Sequence, residues 1–386
     1  MGVDCLVLIS DKLGIAKALA LGDEVIEQTP CLFLFSSHTI ILKRRQPNPG
    51  VHRRKKIIVM RKKFFFALLS VVCFSWRASA QSSLLATLNH EGSISTYYGS
   101  SALQEAYHAA DHGDVITLSS GSFLGTDIQK AITLRGAGMT VDTVAHTEPT
   151  VISTNFTIDV SDTLSHRLTL EGIYSNQKVS ISTLKNAMFL KCRFEEVTYT
   201  SFNSSTMKDL NFIHCRIAER FSLAANGSAS FLNCVVMNPY QYNTTSVFSF
   251  TNCYVNKVSI QYSEYKNCII NDRSSGASST TYYNNLWLNS GSNLLYSPNN
   301  TNMKISEADE RVSFLNVAYN DDNDYQLTDA VRALIKGTDG TEVGIYGSSL
   351  PYDPTPTNPQ ITKFNVAAKS TADGKLSVDI EVNSAN

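Results

Sequence analysis

A short motif recurs through the middle of the chain and limits the possible folds more than any other feature. In each copy an aromatic residue lies three positions before a cysteine, and the cysteines are Cys192, Cys215, Cys234, Cys253 and Cys268. The steps between them are 23, 19, 19 and 15 residues, and Asn285 takes the cysteine position 17 residues later. A constant short strand with loops of unequal length indicates stacked coils, because one coil cannot bury its apolar side alone.

The residues around each cysteine alternate between apolar and polar, as Leu190 and Phe194 do around Cys192. This alternation is typical of a strand with one buried face and places the thiol inward. Asn precedes the cysteine position in four successive repeats, which predicts a left-handed bend. A stack of such Asn side chains is also expected to hydrogen-bond from coil to coil. Crossover connections in parallel sheets are right-handed, so the sequence predicts an all-β fold, a right-handed parallel β-helix of about 11 or 12 coils.

The first 80 residues differ from the rest. Residues 60–80 combine a basic start, an apolar run too short to span a bilayer and an Ala78-Ser79-Ala80 cleavage site, which predicts a signal peptide. Residues 1–59 precede that signal and are predicted to be a gene-model extension or disordered. These features predict a protein exported through a cleaved signal peptide, without a transmembrane helix in the mature chain.

Residues 1–80 hold 13 of the 33 Lys and Arg residues and 5 of the 34 Asp and Glu residues, so residues 81–386 carry a net charge of −9. Binding to a phosphate backbone requires clustered basic residues. An acidic chain of this kind is therefore not expected to bind nucleic acid.

The β-helix is predicted over residues 81–350. It begins with a short capping helix at Ser101–Ala110 and a strand at Val115–Leu118, and the segment from Tyr325 to Gly347 is expected to close the stack. Residues 351–360 are rich in proline and predict a stiff linker. Residues 361–386 predict a small C-terminal β tail, a strand pair joined by a turn.

Residues 102–152 resemble the N-terminal cap and first coils of the pectate-lyase-like right-handed parallel β-helix superfamily. The matching pieces are the capping helix ending in Ala109-Ala110, the segment Gly113–Leu118 and the segment Ile132–Gly138. The end of the chain, with its Gly344-Ile345-Tyr346-Gly347 segment, is similar to exported members from Gram-negative bacteria. The resemblance implies secretion, the periplasm or the outer surface of such a bacterium. It implies a fold rather than one activity, because this fold carries many functions.

Four basic residues stand beside the cysteine motif, namely Lys191, Arg193, His214 and Arg216. Stacked coils would bring them together as a small positive patch on an acidic rod. Such a patch is a candidate site for a uronic acid or sulfate group, because Arg matches carboxylates in geometry. The alternative is that they are ordinary exposed residues.

Two further sets of residues offer chemistry. Asp321, Asp322 and Asp324 supply the oxygen ligands that Ca²⁺ requires, but their segment lacks the spacing of an EF-hand and also fits a solvated turn. Otherwise no cofactor is expected. The five cysteines after residue 80 are an odd number with no C-x-x-C pair, and they are expected to be buried thiols rather than disulfides or a metal site.

The sequence favours a non-catalytic exported or cell-surface protein that binds a polysaccharide or a cell-surface glycan, or mediates adhesion. The catalytic segments of hydrolases with this fold, such as Gly-His-Gly, are absent from the sequence, and no catalytic residue is assigned. The alternative is a polysaccharide lyase or glycoside hydrolase acting on an acidic polysaccharide, which requires carboxylates and a base on one face.

Overall fold

The computed structural model describes residues 84–142, 147–161, 165–241, 245–258, 260–273, 279–289, 303–304, 323–357, 360–366, 369–370 and 373–383, together with two short strands nearer the N-terminus. The chain divides into two compact units, Met1–Ala78 and Ser79–Asn386. In the first unit, β1 (Val7–Ile9) pairs with β2 (Lys17–Leu19) in antiparallel fashion. The predicted signal peptide at 60–80 lies outside the described residues.

The second unit opens with an antiparallel hairpin and a helix. Strands β3 (Leu85–His90) and β4 (Ser93–Tyr98) are joined by a two-residue turn, and β3 also pairs with β5 (Val115–Leu118). Helix α1 (Ala102–Ala109) buries Ala102, Leu103, Ala106 and Tyr107 on one side, which confirms the predicted capping helix. No described helix combines the length and the apolar character needed to cross a bilayer.

The remaining strands form a parallel β-helix of about eight turns, which confirms the predicted fold class and shortens the predicted stack. In chain order they are β6 (Gly121–Phe123), β7 (Thr133–Arg135), β8 (Thr150–Ile152), β9 (Phe156–Asp159), β10 (Thr169–Glu171), β11 (Ile173–Lys185), β12 (Met188–Leu190), β13 (Arg193–Tyr199), β14 (Thr206–Lys208), β15 (Leu210–Ile213), β16 (Arg216–Leu223), β17 (Ser228–Leu232), β18 (Val235–Val236), β19 (Pro239–Gln241), β20 (Val247–Thr251), β21 (Tyr254–Val258), β22 (Glu264–Lys266), β23 (Ile269–Arg273), β24 (Thr281–Tyr283), β25 (Leu286–Asn289) and β26 (Met303–Lys304).

Two long sheets are built from these strands. The first sheet runs from β4 and β3 through β5, β7, β10, β12, β15, β17, β20 and β22 to β24, and the second sheet runs from β6 to β26. The chain passes from the first sheet to the second at one sharp bend in each coil. The predicted left-handed backbone is found at these bends, with φ between 50° and 56° at Lys191, His214, Asn233, Asn252, Asn267 and Asn284.

The core is a set of inward ladders. Parallel register aligns Phe189, Phe212, Phe231, Phe250 and Tyr265 along the first sheet, and their successive rings stack with centroids 4.4 to 4.9 Å apart. The five predicted inward cysteines are free and fully buried. Each thiol donates to backbone carbonyls, as Cys234 Sγ does to Leu232 O at 3.2 Å. The thiols therefore act as small core side chains.

Residues 323–357, which we call the C-terminal strap, do not close the stack as predicted. It contains helix α2 (Asp329–Leu334) and runs back along the side of the solenoid, over the bends. Its buried side chains, among them Tyr325, Val331 and Ile345, form a second apolar cluster with outward residues of the second sheet such as Tyr254 and Ile269. Because these residues form no coils, the stack is shorter than predicted.

The chain ends in the predicted strand pair. β27 (Gln360–Val366) and β28 (Val378–Asn383) are antiparallel. The segment predicted as a linker begins within the strap, where Tyr352 and Pro356 are buried.

Candidate functional site

The four predicted basic residues do lie together, because the coils stack in register. Arg193 on β13 is the direct neighbour of Arg216 on β16, and Lys191 and His214 occupy the bends just before these strands. They do not form an exposed patch, however. Only 7% of Lys191, 2% of His214 and 7% of Arg216 is exposed, because the strap covers them.

Each of the three covered residues bonds the strap. Lys191 Nζ donates to Asp353 Oδ2 at 2.9 Å and to the carbonyl of Thr355. His214 Nε2 lies 3.1 Å from the carbonyl oxygen of Leu350, which requires the proton on Nε2. Arg216 Nε donates to the Tyr352 hydroxyl at 2.8 Å. An acidic sugar would have to displace the strap to reach these groups.

Burial and charge pairing set the ionisation under the strap. Burial opposes ionisation of Asp353, but the hydrogen bonds from Lys191 and Thr355 outweigh it and hold the pKa of that carboxyl below its usual range. Burial lowers the pKa of the His214 imidazole, although its bond to the Leu350 carbonyl works in the opposite direction. The strap is therefore held by the ion pair of Lys191 with Asp353 and by the hydrogen bond from the neutral His214 imidazole to the Leu350 carbonyl.

Arg193 lies beside this cluster and has a different environment. Its guanidinium stacks 4.2 Å from the centre of the Tyr174 ring and donates to Glu195 Oε1 at 3.0 Å. Three of the four predicted residues thus contact the strap directly, and the fourth pairs with Glu195 on its own strand and with Tyr174 on the neighbouring strand β11. Ligand binding by this group stays a prediction.

An open groove lies on the outer face of the first sheet, near the starts of β20, β22 and β24. We call it the Tyr262 groove; it has a volume of about 390 Å³ and is lined by Val247, Phe248, Ser249, Tyr262, Ser263, Glu264, Ser279 and Thr281. About half of the Val247 and Tyr262 side chains is exposed. Apolar surface beside hydroxyl groups makes the groove a candidate binding site.

Strand register arranges the polar groups of the groove. Ser249, Glu264 and Thr281 are successive neighbours on β20, β22 and β24, so their side chains form one outward row. A tyrosine ring next to a row of hydroxyls and a carboxylate can stack on the apolar face of a sugar and bond its hydroxyl groups. Among the described residues, the lining holds one carboxylate, that of Glu264, whereas two-carboxylate hydrolysis requires a pair.

Tyr262 was not singled out from the sequence, although a signal exists. It lies within the shortest step of the repeat, the 15 residues between Cys253 and Cys268. A short connection forces a tight turn, and Tyr262 adopts a left-handed φ of 52° there. The turn leaves the ring at the surface. An aromatic residue in the shortest loop is therefore the sequence signal for an exposed ring at this position, although the groove around it forms only when three segments meet.

The predicted calcium ligands are only partly placed. Asp321 and Asp322 lie outside the described residues. Asp324 is exposed, and its Oδ1 accepts a hydrogen bond from the Gln326 backbone at 3.0 Å. In the part of the chain that the structure describes, no three acidic, His or Cys side chains are grouped as metal ligands.

Comparison of the chain with protein-family models, with curated proteins and with solved structures gave no match.

Proposed function

We propose that this parallel β-helix protein binds a glycan in the Tyr262 groove and serves in adhesion or glycan recognition outside the cell. The proposal includes export through the signal peptide at 60–80 to the periplasm, the medium or the outer surface of a Gram-negative bacterium. It also includes membership in the pectate-lyase-like superfamily, which rests on the sequence segments from Ala102 to Ile152.

One observation carries the proposal: a half-exposed Tyr262 ring lies beside the outward row of Ser249, Glu264 and Thr281. A tyrosine is a rigid contact that loses little entropy on binding. The row of oxygen atoms follows the strand spacing of about 4.8 Å, which is close to the length of a sugar residue. An extended oligosaccharide along the coil stack matches this repeat.

A glycan array identifies the ligand, and titration calorimetry then tests the groove. We expect Tyr262→Asn to weaken binding by about tenfold, because the stacking surface is lost. Asn tolerates the left-handed backbone at this position, so the variant removes the ring without adding strain. Glu264→Gln distinguishes a charge requirement from a hydrogen-bonding one.

Tyr240→Asn is the matched control, since Tyr240 is also partly exposed but lies on β19. The proposal is wrong if the array shows no ligand, or if Tyr262→Asn and Tyr240→Asn bind the ligand as tightly as the wild type. If the bound oligosaccharide is shortened or gains ultraviolet absorbance, the lyase or hydrolase alternative replaces simple binding.

A further inference from the structure

Strand β4 ends the first sheet at the N-terminal side of the solenoid, and its outer edge pairs with no other described strand. The sheet order ends with β5, β3 and β4. Five of the six residues of β4 are exposed, and Tyr97 is half-buried. Within the described chain, no residue bonds the outward backbone groups of this strand.

Two hydrogen bonds fix which backbone groups of β4 face outward. Gly99 N donates to Leu84 O at 2.8 Å, whereas Ser119 N on the other side of β3 donates to Leu85 O at 2.8 Å. Even-numbered residues of β3 therefore bond β4, and odd-numbered ones bond β5. By the register of the hairpin, the outward N–H and C=O groups of β4 belong to Ile94, Thr96 and Tyr98.

The same three residues share one face of the strand, and two of them are the most exposed large apolar residues described. Ile94 is 71% exposed and Tyr98 is 63% exposed. The strand Ser93–Tyr98 contains no charge, proline or bulge. Natural edge strands normally carry such features, because they prevent pairing with another chain.

We infer that β4 pairs with β4 of a second copy of this chain, antiparallel and centred on Thr96. A two-fold axis perpendicular to the sheet keeps the equivalent faces of the two strands on the same side. Under this symmetry an even-numbered residue lies opposite an even-numbered one, and an odd-numbered residue lies opposite an odd-numbered one. Centring on Thr96 satisfies this condition and sets each Ile94 opposite the second copy's Tyr98. The groups that then bond are the outward ones of Ile94, Thr96 and Tyr98, which gives about six hydrogen bonds.

The side chains favour this register. The two opposed Ile–Tyr pairs are the cross-strand type that stabilises sheets. The strand carries no charge, so two copies of an acidic chain meet there without direct repulsion. One shared strand is a small contact, at the low end of the interface size range, so the dimer is expected to be weak.

Sedimentation velocity of the purified protein over a roughly hundredfold dilution series tests the inference. We expect a reversible monomer–dimer equilibrium. Thr96→Lys and Thr96→Glu should each weaken association by about tenfold, because like charges face each other across the axis. An equimolar mixture of the two variants should restore association, since residue 96 opposes itself only in this register.

Val141→Lys adds the same charge at another exposed position, 53% accessible, and should leave association unchanged. Circular dichroism checks that all variants remain folded. The inference is overturned if the wild type stays monomeric, if Thr96→Lys dimerises normally, or if the mixture shows no recovery. Ile380 lies on the exposed face of β28. The inference is also overturned if Ile380→Asp abolishes association, because the two copies would then associate through the C-terminal strand pair rather than through β4.

Discussion

Six successive bends of the solenoid, from Lys191 to Asn284, each place one residue in the left-handed region, and its side chain bonds the strap. Asn233 Nδ2 donates to the carbonyls of Ile345 at 2.7 Å and Gly347 at 2.8 Å. Asn252 Nδ2 donates to Glu342 O, and Thr338 N donates to Asn267 Oδ1. The expected coil-to-coil bonding of these amides is thus wrong: they bond the strap, whose backbone supplies the missing partners.

Asn233→Ala should destabilise the protein by about 2–4 kcal/mol, because two buried carbonyls lose their donor and Ala is strained at positive φ. Asn233→Gly should recover about 1 kcal/mol of that loss by removing the strain alone. Chemical denaturation measures both. Asn284→Ala, at a partly exposed bend with a similar φ, is the control and should cost less than Asn233→Ala; equal losses would contradict the role of the buried amide bonds.

His214 should make stability depend on pH. Burial lowers its pKa in the folded protein, so below about pH 6.5 the unfolded state binds the proton first. The contribution of the neutral imidazole is therefore present above that pH and is lost as the pH falls toward the folded pKa. Lys191 and Asp353 face the same ring, and the lowered pKa of Asp353 places the titration of that carboxyl below this window.

The measurement is the unfolding free energy of wild type and His214→Gln between about pH 7.5 and about pH 5. The wild type should lose stability relative to the variant as the pH falls. His90, whose pKa is raised by its hydrogen bond to Asp114, acts with the opposite sign but is common to both proteins. A constant difference across the range would refute the assignment.

At the scale of elements, the strap is an integral part of the core although it is remote in sequence from the coils. Ile345 is fully buried against the second sheet, whereas Leu350, five residues later, is 51% exposed. Tyr325 packs on Tyr254 with ring centres 4.5 Å apart. The strap therefore turns the outward face of the second sheet into an interior.

Ile345→Ala should cost about 2–5 kcal/mol, because the cavity is enclosed between the strap and the sheet. Leu350→Ala in the same segment should change stability by less than about 0.5 kcal/mol. Denaturant titration of both variants compares them directly. Similar small losses would mean that the strap is not packed as described.

At the scale of the whole molecule, the strap links distant coils. A solenoid has contacts only between neighbouring coils, so its ends can unfold separately. Here the strap bonds bends that are far apart along the stack: Asn284 Nδ2 donates to the carbonyl of Lys336, and Lys191 Nζ donates to the carbonyl of Thr355. Unfolding of the described coils should consequently be more cooperative than in an unstrapped stack.

In a Trp76→Phe background, Trp287 is the only tryptophan and reports on the C-terminal coils. Its fluorescence and the far-ultraviolet circular dichroism should show the same denaturation midpoint. Ile345→Ala should shift both midpoints together. An earlier fluorescence transition in the wild type would show that the strap does not couple the coils.

The sequence by itself determined the coils, because strand alternation, inward cysteines and left-handed Asn bends are local or repeat from one coil to the next. It also placed Lys191, Arg193, His214 and Arg216 side by side. Only the tertiary structure decided that three of them are covered, because their partners at Leu350–Thr355 are more than 130 residues away. The Tyr262 groove was likewise beyond the repeat pattern, since it forms where three strand starts meet a tight turn and no single segment contains it.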